Sequence, residues 1–333
     1  MALASKDSCE RRDGLPAEQA GRTDSPGVLS TLSLVLPLIY LAFVGAWLVY
    51  SHNWPTSDEV ALALFLLAVF TGRGVRFLRD WSPFVLLILA YEALRGLATD
   101  IGGRVHVTFP IDMDRRLFGQ VPTNFLQAHL WDPEHLHWYD YASAYLHTSY
   151  FLVPLGFAFV LWLRDRRTYW RFVASYLLLT YAGFITYVLF PMAPPWWASN
   201  AGMIPHVDTI LDTVLSQHGA SHPISLAYQY FESNPVAAMP SLHAAFPTLV
   251  WLVAWRIWPR WGWALVLYPL AMGFAVVYMG EHYAIDVLAG YAYAVGAFTA
   301  VWLAPDAWQR YRNARTRPFA RVRSGLELPS AES

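Results

Sequence analysis

Long apolar runs recur along this chain and leave few folds open to it. Hydrophobic residues make up 56% and charged residues 14% of its 333 residues, whereas a soluble domain carries about 25% charged residues. A bilayer-crossing helix needs about 20 residues. Candidate runs cover about 28–50, 57–72, 82–99, 142–163, 171–191, 242–258, 262–280 and 284–304. We therefore predict an all-α integral membrane protein with about eight transmembrane helices.

Basic residues fall on alternate sides of these runs. Nineteen of the 23 Lys and Arg residues lie on one side, and the other four are Arg95, Arg104, Arg115 and Arg116. Cytoplasmic loops carry an excess of Lys and Arg, so we expect a multi-pass plasma-membrane protein with both termini in the cytoplasm. The predicted parts are a disordered cytoplasmic tail (1–26), a membrane domain (27–305) and a basic cytoplasmic tail (306–333).

Composition excludes several kinds of functional site. The only cysteine is Cys9, in the polar N-terminal tail, which excludes disulfide, zinc–cysteine and thiol-nucleophile sites. The net charge of −1 gives no reason to expect a nucleic-acid partner. We expect the bilayer as a partner and no cofactor, and the sequence does not predict an oligomeric state.

Two histidines lie at the starts of two apolar runs, 242–258 and 284–304. His243 follows Pro240-Ser241-Leu242, and His282 begins His-Tyr-Ala-Ile-Asp, ending at Asp286. They are 39 residues apart, which fits one helix down, a tight turn and one helix back. Both histidines should then lie at the outer face, where ionisable groups at the edge of a membrane core are usually functional.

This pattern is typical of phosphoryl transfer. Asp286 lies one helical turn after His282, and a carboxylate on one ring nitrogen makes the other a better nucleophile or base. Ser241 can cap the helix that carries His243, and a helix N-terminus favours anions. One histidine would attack phosphorus and the other would protonate the leaving oxygen.

Phosphoryl oxygens also need positive charge, and Arg95 is the candidate because it lies near the outer end of the third run. Two other interpretations of Arg95 are a snorkelling side chain and a salt bridge with Glu92, one turn earlier. Ser241 is the second predicted phosphate-binding residue.

Two further features have alternative interpretations. All eleven histidines fall on or near the outer side, which polar loops tolerate, although His135 with His137, or His218 with His222, could instead bind a metal. No ligand spacing is firm, so we predict no metal site. Segments 111–118 and 125–131 look amphipathic, which fits either interfacial helices or an ordinary packed loop.

At the histidine motifs the chain resembles the type 2 phosphatidic acid phosphatase superfamily, which carries Pro-Ser-x-His and, one hairpin later, His-x-x-x-Asp. The resemblance implies a core six-helix bundle, His282 as nucleophile forming a phosphohistidine, Asp286 as its orienter and His243 as acid. The superfamily's Ser-Arg pair is replaced here by Ala275 and Val276. Without that arginine, the motifs are most similar to the inositol phosphorylceramide synthase branch.

The main functional hypothesis is a membrane-embedded lipid phosphatase or phosphotransferase that acts at the extracytoplasmic face. Its expected partner is a lipid phosphate or phospholipid substrate. One alternative is the transfer of an inositol or sugar phosphate onto a lipid acceptor. A second is a non-catalytic transporter or scaffold, although the charges lie near the outer interface rather than at the midplane that transporters favour. What replaces the superfamily's arginines is not predicted beyond Arg95 and Arg104.

Overall fold

Helices dominate the parts of the chain that the computed structural model describes, which are residues 57–101, 105–217 and 236–323. They are α1 (Ser57–Phe70), α2 (Gly74–Ile101), α3 (Thr108–Phe118), α4 (Pro122–Leu130), α5 (Trp138–Arg164), α6 (Arg166–Leu189), α7 (Pro195–Asn200), α8 (Ile210–Gln217), α9 (Leu242–Ile257), α10 (Pro259–Gly262), α11 (Leu267–Tyr278), α12 (Ala284–Phe298) and α13 (Ala304–Arg323). A 3₁₀ turn (Trp263–Val266) precedes α11, and a π-helical turn (Thr299–Leu303) precedes α13.

The predicted spans coincide with helices wherever the structure describes them. Three stretches are long and apolar enough to cross a bilayer, namely Trp138–Arg164, Arg166–Leu189 and Ala284–Asn313, and two shorter apolar helices cover Leu242–Ile257 and Trp263–Tyr278. The predicted span at 28–50 and the tail at 1–26 lie outside the described residues. The all-α class is confirmed, and the number of eight spans stays a prediction.

The core of the bundle forms around α9, which packs against α5, α6, α11 and α12. Aromatic stacking joins α6 to α9, since the rings of Tyr176 and Phe246 lie 4.2 Å apart at 12°. Gly290 allows α12 to approach the start of α9 closely, because a Cβ there would lie 2.3 Å from the Ser241 carbonyl oxygen. The first turns of α9 and α12 therefore meet at one end of the bundle.

Ion pairs hold the opposite end of the bundle, where α5 and α9 finish. Fully buried Asp80 accepts hydrogen bonds from Nε and Nη2 of Arg166, at 2.8 and 2.6 Å. Asp306 pairs with Arg171 and with Arg256, each at 3.0 Å. We call this region the arginine end; it ties α2 to α6, and α13 to α6 and α9.

The two predicted amphipathic segments are helices, α3 and α4. The side of α3 that carries Ile111 and Asp114 is buried, whereas Phe109, Leu117 and Phe118 are exposed. A helix with one buried and one exposed apolar edge fits an interfacial position. The buried side of α3 packs beside the start of α12.

Candidate active site

His243 and His282 meet where α9 and α12 begin. His243 lies in the first turn of α9, and His282 lies in the turn that precedes α12. Nδ1 of His243 is 3.0 Å from Nε2 of His282, a hydrogen-bond distance in which either nitrogen can donate, depending on the tautomers. Only 6% of His282 is exposed. The structure thus brings together the two histidines that the sequence placed at one face.

Asp286 lies behind His282, on the side away from His243. Its Oδ2 is 3.7 Å from Nδ1 of His282 and accepts the backbone N–H of Tyr283 at 2.9 Å. The Asp286 side chain is fully buried. The separation from His282 exceeds a hydrogen bond, but catalytic hydrogen bonds are often long before substrate binds and tighten afterwards. The three side chains form a linear series, Asp286, His282, His243.

Backbone contacts join the two motifs directly. The N–H of Ser241 donates to the carbonyl oxygen of Asp286 at 3.0 Å, and the hydroxyl of Tyr187 donates to the carbonyl oxygen of Pro240 at 2.7 Å. The hydroxyl of Ser241 accepts the N–H of Ala244 at 3.4 Å and so caps α9. Ser241 is fully buried, and its predicted contact with phosphate stays a prediction.

A tight turn presents His282 to the site. Gly280 has φ of +83°, and a Cβ at this position would lie 2.7 Å from Cγ1 of Val207, so the position requires glycine twice over. The N–H of His282 donates to the carbonyl oxygen of Val276 at 3.2 Å. From α4, the amide of Gln127 donates to the carbonyl oxygen of Tyr278 at 2.9 Å. The backbone that leads into His282 is therefore fixed from several sides.

A third histidine, which sequence reasoning placed only near the outer side, contacts His243. His147 of α5 is 2% exposed, and its ring stacks on that of His243 at 4.3 Å and 27°. Tyr150, one turn later, contacts His243 from a second direction at 4.2 Å. An ionisable side chain inside an apolar helix was the available sequence signal. His147 and Tyr150 together orient the His243 ring.

Sequence reasoning also missed Asp114, on the buried side of α3. Its two carboxylate oxygens accept the N–H groups of Ala284 and Ile285 at 3.1 and 2.9 Å. Burial raises the pKa of Asp114 to about 6, and the nearby charge of Asp286 also raises it, while the two hydrogen bonds lower it. The contact joins residues 170 positions apart, and no local pattern in the sequence indicates it.

The predicted phosphate-binding arginines belong to the segment before α3. Arg95 belongs to α2, but its side chain, that of Glu92 and all of Arg104 lie outside what the structure describes. Binding of phosphate by Arg95 therefore stays a prediction.

Of the two histidine pairs considered as metal ligands, His135 and His137 belong to the part of the chain that the structure describes, and each lies beside a different carboxylate. His135 lies 3.4 Å from Asp132, and His137 lies 3.9 Å from Asp140. His218 and His222 lie outside the described residues. Across residues 57–101, 105–217 and 236–323, no group of three or more His, Cys, Asp or Glu side chains could hold a metal ion.

Comparison with known proteins identifies the family. A model of the PAP2 superfamily matches residues 111–300, a range that contains His243, His282 and Asp286 but not Arg95. The phosphoinositol dihydroceramide synthase of Bacteroides thetaiotaomicron is 27% identical over 248 residues, covering 70% of this chain and 79% of that protein. The inositol phosphorylceramide synthase catalytic subunit of Schizosaccharomyces pombe is 28% identical over 120 residues, covering 35% of this chain and 28% of that protein.

No solved structure matches the chain. Both relatives are named as synthases that form phosphoinositol-type lipids, which favours the transferase alternative over a lipid phosphatase, and an enzyme over a transporter or scaffold. The family model covers more than half of the chain. This protein therefore belongs to the PAP2 superfamily, as a membrane enzyme of the phosphoric ester hydrolase or phosphotransferase class.

Proposed function

We propose that this protein transfers a phosphoinositol headgroup from a phospholipid donor to the hydroxyl group of a ceramide-type lipid. The proposal depends most on the linear series Asp286, His282, His243, in which the two ring nitrogens lie 3.0 Å apart. The acceptor class is supported by the similarity to a phosphoinositol dihydroceramide synthase over 79% of its length. Hydrolysis, with water as acceptor, is the competing outcome.

In the first half of the reaction, the donor phosphate enters between the two histidine rings and breaks their hydrogen bond. Nε2 of His282 then attacks the donor phosphorus and forms a nitrogen–phosphorus bond. The bond between phosphorus and the oxygen of the diacylglycerol breaks, and His243 gives that oxygen a proton. Asp286 faces the other ring nitrogen of His282, so it stabilises the positive charge that the ring acquires. Diacylglycerol leaves, and phosphoinositol remains on His282.

In the second half, the acceptor hydroxyl attacks the same phosphorus. Its proton passes to the now neutral His243, an oxygen–phosphorus bond forms, and the bond to His282 breaks. Both histidines return to their starting states, so each can serve again. Half-buried His243 and nearly buried His282 restrict access of water, which favours a lipid hydroxyl over hydrolysis.

The site is proposed to face the outer side of the membrane. Support comes from the arginines, since Arg166, Arg171 and Arg256 lie at the arginine end, opposite the histidines, and cytoplasmic segments carry the excess of basic residues. A cysteine at exposed Met203, in a Cys9→Ser background, should react with an impermeant maleimide on intact cells. A cysteine at exposed Arg167 should react only after permeabilisation, and the reverse result would reverse the orientation.

The acceptor is tested with purified protein in vesicles that contain phosphatidylinositol and ceramide. We expect inositol phosphorylceramide and diacylglycerol to form in equal amounts, to do so in the presence of EDTA, and to be absent with His282→Ala. Release of inositol phosphate without a ceramide product would make the protein a hydrolase instead. Loss of activity in EDTA and its return with zinc would overturn the metal-free mechanism.

A further inference from the structure

We infer that Asp114 of α3 is a positioning residue, whose carboxylate holds the first turn of α12 and thereby fixes His282 and Asp286 for transfer. The inference rests on the proposed use of His282 and Asp286 in catalysis. It does not depend on which acceptor the enzyme uses, because both transfer and hydrolysis need the same histidine. Asp114 itself is not placed in contact with reacting atoms.

The geometry is that of a helix cap supplied from a distant part of the chain. The first N–H groups of a helix have no partner within the helix, and those of Ala284 and Ile285 in α12 are accepted by Oδ2 and Oδ1 of Asp114 at 3.1 and 2.9 Å. Asp114 is fully buried, so water does not compete for these bonds. One carboxylate therefore uses both of its oxygens to hold the start of α12.

Two carboxylates together occupy three consecutive N–H groups beside the nucleophile. Asp286 accepts the N–H of Tyr283 at 2.9 Å, and Asp114 accepts the next two. On the other side, the N–H of His282 is bound to Val276. The His282 backbone is thus held before and after the ring, and the start of α12 is occupied by protein carboxylates rather than left open for a substrate phosphate.

Charge gives Asp114 a second effect on the pair. The groups that face it are Asp286 and the hydroxyl of Tyr283 from the α12 side, and Arg115 from its own helix, which acts on that hydroxyl. A second buried carboxylate beside Asp286 adds negative charge, which stabilises the positive charge that the His282 ring acquires during transfer. Removal of the Asp114 charge should therefore slow transfer.

The test compares Asp114→Asn with Asp112→Asn, which changes an exposed carboxylate two residues away on the same helix. Asparagine has a similar shape, but only one oxygen and no charge. Loss of a hydrogen bond to a charged group predicts a fall in kcat of about 10- to 100-fold with unchanged KM. Asp112→Asn should match the wild type in both quantities, and so would Asp114→Asn if the inference is wrong.

A double-mutant cycle separates positioning from general stabilisation. If Asp114 acts through the His282–Asp286 pair, Asp114→Asn should reduce kcat much less in an Asp286→Asn background than in the wild type. Equal factors in both backgrounds would show an independent structural role and overturn the inference. If inositol transfer is not found, the same cycle is measured with whichever phosphate ester the protein turns over. Failure of the proposed function is thereby distinguished from failure of the inference about Asp114.

A conservative variant keeps the test usable if Asp114→Asn does not fold. Asp114→Glu retains the charge but displaces the oxygens by one methylene group. We expect it to lower kcat without changing KM, because the position of the oxygens changes and the charge does not. A wild-type kcat for Asp114→Glu would contradict the requirement for exact placement of the α12 start.

Discussion

The two ends of the bundle both bury carboxylates, but they pair them with different partners. At the arginine end, fully buried Asp80 receives two hydrogen bonds from Arg166 at 2.8 and 2.6 Å. At the other end, which we call the histidine end (His147, His243, His282 and Asp286), equally buried Asp286 faces the ring of His282 at 3.7 Å. The burial is the same, and the partner differs.

The two partners, arginine and histidine, suit the two ends of the bundle to different roles. A guanidinium stays protonated at any physiological pH and donates two parallel N–H groups to a carboxylate. The Asp80–Arg166 pair therefore neither gains nor loses protons. An imidazole changes charge near neutral pH and has two distinct nitrogens. The histidine end can therefore move a proton and form a bond, whereas the arginine end can only hold helices together.

The largest expected effect is the loss of activity on replacing the proposed nucleophile. His282→Ala should lower kcat by more than about 10⁴-fold, because removal of a covalent nucleophile leaves only binding and charge effects. Initial rates of headgroup transfer in vesicles, per amount of folded protein, measure it. Full activity of His282→Ala on any phosphate ester would end the proposed mechanism.

Replacement of the proposed acid should cost less, and the cost should depend on the leaving group. His243→Ala should slow the lipid reaction by about 10²- to 10⁴-fold. It should slow p-nitrophenyl phosphate turnover less, because p-nitrophenolate leaves without a proton. Equal factors for both substrates would mean that His243 does not protonate the leaving oxygen.

The third histidine should matter through its ring rather than its nitrogens. His147→Phe keeps a stacked ring against His243 and should retain most of the activity, whereas His147→Ala should lower kcat by about 3- to 10-fold, the value of a lost ring stack. We expect both variants to have the wild-type KM for the donor, so that the comparison reports kcat alone. If the Phe variant is as slow as the Ala variant, the imidazole nitrogens are needed.

The smallest effect on turnover is expected at the arginine end. Arg166→Ala leaves buried Asp80 without its closest cation, although Arg79 remains 3.6 Å away, and should lower the free energy of unfolding by about 2 kcal/mol. The exposed neighbour Arg167 provides the control, since Arg167→Ala should lower stability little. A fall in kcat for Arg166→Ala with unchanged stability would break the division between the two ends.

Sequence reasoning reached the part of the site that is encoded locally. His282 and Asp286 are one helical turn apart, and the spacing between His243 and His282 matches one hairpin, so helix geometry alone brings them together. The helical class follows from the apolar runs in the same way. The predicted span at 262–280 begins in the structure with a 3₁₀ turn (Trp263–Val266). The apolar pattern did not predict this turn, because Trp and Leu continue through it.

The rest of the site depends on packing between distant segments. Asp114 reaches α12 across 170 residues, and His147 reaches His243 from another helix. Neither contact has a spacing that can be read along the chain, because each depends on how α3 and α5 dock against the hairpin. An ionisable residue in an apolar segment was the only sign of His147, and Asp114 lay in a segment that the sequence showed only to be amphipathic.

Trapping a covalent intermediate on His282 tests the proposed double-displacement mechanism most directly. Purified enzyme is mixed with radiolabelled phosphatidylinositol without acceptor, quenched rapidly in base and digested. We predict an acid-labile label on the peptide that contains His282, its absence from His282→Ala, and its transfer to ceramide when ceramide is added. Normal product formation by the wild type with no label on that peptide at any quench time would contradict the mechanism.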